Sequence, residues 1–130
     1  MDLNGTYNSN HVLNAYADSV LEGIEATASW NNIPRLDPEK LASTVQLIKS
    51  NALELDQLAS SYFTRILNGI DAAIHNRNDR DSALNNAYTA ASALHDFFVD
   101  KPVLELKSAA MYLNSTVGEL RAYNNKTYFE

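Results

Sequence analysis

Three histidines are the first places to look for chemistry in this chain. His75 follows Asp71 by four positions and precedes Asp79 by four. On a helix, positions i and i+4 share a face, so Asp71 can reach the His75 ring and orient it as a base. A helical-bundle metal site would need more: the carboxylate bundle sites repeat Glu-x-x-His on paired helices. No such tetrapeptide occurs here. His75 therefore reads first as a helix C-terminal residue facing the negative end of the dipole. His95 lies in Ala93-Leu94-His95-Asp96-Phe97-Phe98. A phosphotransfer histidine of an acidic helical module has a Lys and a Gly shortly after it, and here Asp96, Phe97 and Phe98 follow instead. His11 stands near the first expected helix cap and reads as solvated. There is no Gly-x-Ser-x-Gly, no phosphate-cradling glycine loop and no His-Glu-x-x-His. The chain has no Cys, which removes thiol catalysis, disulfides and thiolate metal sites together. These residues point away from an enzyme and imply no cofactor and no metal.

Charge narrows the partners. Ten basic and sixteen acidic residues give a net charge of −6. Nucleic acid and anionic membranes need clustered Lys and Arg, so neither is the expected partner. No run approaches the roughly 20 apolar residues of a membrane span. The start, Met1-Asp2-Leu3-Asn4-Gly5, has neither a basic region nor an apolar core of a signal peptide. A cytoplasmic location is the expectation that follows.

The elements that must position these residues are helices. Only four Gly and three Pro leave little material for many turns, and no Val/Ile/Thr alternation appears. The stretch from Asp37 to His75 organises the rest. Asp37 caps, Pro38 takes the first helical position, and Leu41, Val45, Ile48, Ala52, Leu55, Ala59, Tyr62 and Ile66 follow at heptad spacing. A second stripe, Leu58, Phe63, Leu67, Ile70 and Ile74, appears only in its later half.

The spacing predicts helices over about 9–31, 38–76, 82–99 and 102–123. The expected fold is all-α: an antiparallel bundle of four helices around a long central one, or of five if that helix breaks at Ser50-Asn51. The chain reads as a single domain, residues 1–130. A helix over 38–76 would be roughly 58 Å long at 1.5 Å per residue. The alanines Ala83, Ala87, Ala90, Ala91 and Ala93 make the third helix slim, so a neighbour can sit close.

The order of elements is loosely similar to that of a small four-helix lumenal assembly factor of photosystem II. The similar features are Leu3-x-Gly5-x-Tyr7 at the start, Asp37-Pro38 before the second helix, Ala83-Leu84-Asn85 in the third, and Pro102 ahead of the last. The resemblance implies a four-helix bundle with an assembly role, and no residue role is carried over from it.

The functional expectation is a non-catalytic protein–protein interaction protein of the adaptor, inhibitor or assembly-factor type. Its central seam has more apolar length than its neighbours cover, and an exposed apolar stripe marks a contact. The expected contact residues are Leu41, Val45, Leu47, Ile48 and Leu55, with Tyr128 and Phe129 at the chain end. The expected partner is another protein, with self-association into a homodimer first. The alternative is a small-ligand or sensory bundle with a pocket lined by Tyr62, Tyr88 and Phe97. A phosphotransfer or hydrolytic enzyme comes after both.

Overall fold

In a computed structural model, residues 3–26, 36–51, 57–101 and 104–129 are described. They carry five helices: α1 (Leu3–Ala26), α2 (Pro38–Ser50), α3 (Gln57–Ile74), α4 (Arg80–Val99) and α5 (Leu104–Phe129). No strand occurs among the described residues, and the fold is an all-α helical bundle.

The central stretch is two helices rather than one. α2 closes at Asn51, whose amide bonds back to the Ile48 carbonyl at 3.0 Å. The cause is local. The Ser50 hydroxyl donates to the Gln46 carbonyl at 2.8 Å, and the Asn51 side-chain amide donates to the Leu47 carbonyl at 2.9 Å. Short polar side chains that compete for backbone partners weaken the helix where they cluster. Residues 52–56 lie outside the described residues. At the other end of α2 the cap is the one read from sequence. Asp37 is extended, its carboxylate accepts from the Lys40 amide at 3.2 Å, and Pro38 opens the helix.

The outer helices run further than their apolar stripes. α1 is already helical at Leu3, six residues before the expected start at Ser9, and α5 continues to Phe129 rather than ending near Tyr123. The expected segment 27–31 at the end of the first helix lies outside the described residues.

Burial follows the 3.6-residue period on every helix. α1 buries Leu13, Ala17, Val20 and Ile24, and α2 buries Leu41, Val45 and Ile48. α3 buries Phe63, Ile66, Leu67 and Ile70, α4 buries Leu84, Ala87, Ala91 and Leu94, and α5 buries Leu106, Ala110, Leu113, Val117 and Leu120. α3 packs chiefly on α4, and α4 on α5; α1 lies against α2 and α3, and α2 reaches α5. So each half of the central stretch has its own covering: α1 and α5 for α2, α1 and α4 for α3.

α3 and α4 approach each other closely at Gly69. A methyl group built on Gly69 would overlap the Ala87 methyl and lie 3.0 Å from the Ala83 carbonyl oxygen. Slim residues on both sides allow this approach, as the alanines of α4 led one to expect. α3 then ends at a turn in which Asn76 takes the left-handed conformation, with φ of 52°. The Arg77 amide reaches back to the Ala72 carbonyl at 3.0 Å. Asn is the side chain other than Gly that most readily accepts this closing position.

Candidate functional sites

The expected docking seam on α2 is core. Leu41, Val45 and Ile48 have no exposed surface, and Leu47 is half-buried against the same core. The heptad there faces inward between α1 and α5, so these residues cannot touch a partner of the folded chain. The sequence reading erred in expecting the neighbours to leave part of this seam uncovered. α5 packs along α2, where the Lys40 ammonium sits 4.7 Å from the centre of the Tyr112 ring. Leu55 lies outside the described residues, and the side chains of Tyr128 and Phe129 are not described either, although both belong to α5.

The densest polar cluster is at the α3–α4 turn, and it includes the Asp71–His75 pair. His75 Nδ1 lies 3.1 Å from the Asp71 backbone oxygen and 3.2 Å from its Oδ1. Both partners are acceptors, so Nδ1 carries the proton in this arrangement. The ring caps the end of α3. Arg77 organises the rest. Its Nη1 donates to Asn68 Oδ1 and Asp71 Oδ2, each at 3.1 Å. Its Nε and Nη2 grip the two Asp79 oxygens at 2.9 and 2.5 Å. Asp79 stands at the N-cap position of α4 but makes no side-chain cap bond, because Arg77 holds its carboxylate.

The same network sets three protonation equilibria. The Arg77 hydrogen bond holds the Asp79 carboxyl below its usual range, and the Asp79 hydrogen bond raises Arg77 above its own. Burial pushes the Tyr16 phenol up, the Asp71 charge pushes it further, and the Arg77 charge opposes this. The folded state thus favours the neutral phenol. Its contribution to stability is complete below the unfolded tyrosine value of about 10 and is lost as pH rises through the raised folded value. Asp79 runs the other way: its contribution is present above about 4 and is lost as pH falls through the lowered folded value. The tyrosine can be checked directly. In an absorbance titration, Tyr16 should ionise later than an exposed tyrosine, and Tyr16→Phe should blunt the loss of stability at alkaline pH.

What this turn can do chemically is limited by what surrounds it. An Asp-oriented imidazole is half of a base–nucleophile pair, but the network's polar atoms face one another and the end of α3. Among the described residues, no group of three or more His, Asp or Glu could hold a metal ion. His95 is a weaker case, half-buried with Nδ1 3.8 Å from Asp96.

The aromatic residues proposed to line a pocket are engaged elsewhere. Tyr88 lies under the Arg121 guanidinium, 4.6 Å from ring centre to charge, and against Gly118. Phe97 meets Phe98 edge to face at 5.4 Å and carries Lys101 over its ring at 4.7 Å. Tyr62 packs half-buried on the core. A groove of about 610 Å³ does exist, but it lies between α1 and α2 and none of the three lines it.

Two features escaped the sequence reading. One is that groove, which depends on how α1 and α2 splay. The other is a row on α5. Leu104 is 72% exposed and Met111 55%, with the exposed Ser108 and Ser115 on the same face. The sequence did carry a signal for this row. Leu104 and Met111 are seven apart and fall off the buried series Leu106, Ala110, Leu113, Val117 and Leu120.

No protein-family model, curated protein or solved structure matches this chain. No described helix is long and apolar enough to cross a membrane.

Proposed function

We propose that this chain is a non-catalytic binding protein that meets another protein through the outer face of α5. The observation that carries the reading is the pair Leu104 and Met111. Single exposed apolar residues are ordinary on any surface. These two lie on one helix face, two turns and roughly 10.5 Å apart. Val99, 47% exposed at the end of α4, stands five residues before Leu104 in the chain. Apolar positions grouped in this way mark contact surfaces.

A second copy of the chain is the first partner to consider. Two molecules with six excess negative charges each repel one another unless they meet on uncharged ground. The row Leu104, Ser108, Met111 and Ser115 has no charged side chain and supplies it. The double variant Leu104→Glu/Met111→Glu tests the reading. It should keep the wild-type helix content and melting temperature, since both side chains face solvent, and lose the association. Retained association in the folded variant would reject this surface.

A further inference from the structure

We infer that the α1–α2 groove is a second docking site, for an Arg- or Lys-bearing segment of a partner protein. It lies on other helices than the α5 row and does not depend on it. The floor is apolar and half-buried: Leu21 of α1, with Pro38 and Ala42 of α2. The rim is acidic and exposed: Glu25 on one side, Glu39 on the other, with Gln46 further along. Its volume of about 610 Å³ has room for one long side chain and the backbone beside it.

Charge decides the occupant. Neither Glu25 nor Glu39 has an ion pair among the described residues, although α2 carries two lysines, Lys40 and Lys49. Lys49 is committed to Asp18, with Nζ 2.6 Å from the carboxylate. Lys40 is committed to the Tyr112 ring on α5. The positive end of α2 also opens here, but Asp37 already covers it by accepting from the Lys40 amide. The groove is therefore apolar below and negative above, and among the described residues no cation neutralises its rim. Arg and Lys have the matching shape: an aliphatic stem that lies on apolar surface and a charged head that stays at the wet rim. An acidic segment would meet two carboxylates of its own sign, and a purely apolar one would offer them no counter-charge.

The test uses the full chain, labelled with nitrogen-15, and an acetylated, amidated hexapeptide of alternating Leu and Arg. A matched peptide has Gln in place of Arg. Backbone amide shifts on adding the Arg peptide should cluster at residues 18–25 and 38–46. Binding should weaken about tenfold in Glu25→Gln/Glu39→Gln, as expected for the loss of two exposed charge pairs. It should also weaken at high salt, and it should be unchanged in Leu104→Glu/Met111→Glu. The proposal is overturned if the Gln peptide binds equally well, if the shifts map outside α1 and α2, if the Glu→Gln variant binds as wild type does, or if no shift appears at millimolar peptide.

Discussion

Ile48→Ala should cost about 2–5 kcal/mol of folding stability, the range for truncating a fully buried aliphatic side chain. Ile48 has no exposed surface and belongs to the central cluster with Leu41 and Val45. Removing three carbons there loses burial and leaves a cavity that the helices flanking α2 can only partly close. A domain of this size is stable by about 5–15 kcal/mol, so the loss is a large share of the total. Urea denaturation of the variant beside Met111→Ala measures it. Met111 is 55% exposed, and its truncation should fall within about 0.5 kcal/mol of wild type. Had residues 41–48 been an outward docking face, the two variants would behave alike. The contrast between them decides which face of α2 is the core.

Gly69→Ala should lower stability by up to about 2 kcal/mol, although alanine is the better helix former. Helix propensity alone favours the substitution by about 1 kcal/mol. Against this, the new methyl would overlap Ala87 and crowd the Ala83 carbonyl. Both belong to α4, and a helix backbone cannot turn aside as a side-chain tip can. Forcing such a contact apart costs about 1–3 kcal/mol, and it does so at the pair of helices that pack most extensively. Gly23 supplies the control. Among the described residues a methyl there would meet only the Ile74 side chain, at 3.2 Å from Cδ1 and 3.4 Å from Cγ2, and the tip of Ile74 can rotate away. Gly23→Ala should leave the melting temperature unchanged or raise it slightly. If the two glycines respond alike, α3 and α4 do not cross at Gly69.

Much of the fold is legible in the sequence because periodicity and caps are local signals. The stripes Leu13–Ile24, Leu84–Leu94 and Leu106–Leu120 all face the core, and Asp37-Pro38 opens α2 as its residue types require. The break after Ser50 is harder to see, because it rests on two side chains turning back to carbonyls within the same helix. A heptad continues across such a break without any change in its apolar positions. The docking surface misled for a related reason. Periodicity shows which face of α2 is apolar, but not whether α5 returns to cover it. The Arg77 fork was invisible too: Asn68, Asp71 and Asp79 come together only because Asn76 reverses the chain. Leu104 and Met111 could have been found by asking which apolar residues the α5 stripe leaves out.

The binding reading stands or falls on whether the α5 row is sticky in solution. Sedimentation velocity on the full chain, from dilute to concentrated, beside Leu104→Glu/Met111→Glu, asks this most directly. The wild type should sediment as a reversible dimer that dissociates on dilution, and the variant as a folded monomer throughout. A wild type that stays monomeric at the highest concentration, or a variant that dimerises as readily, would contradict self-association through α5.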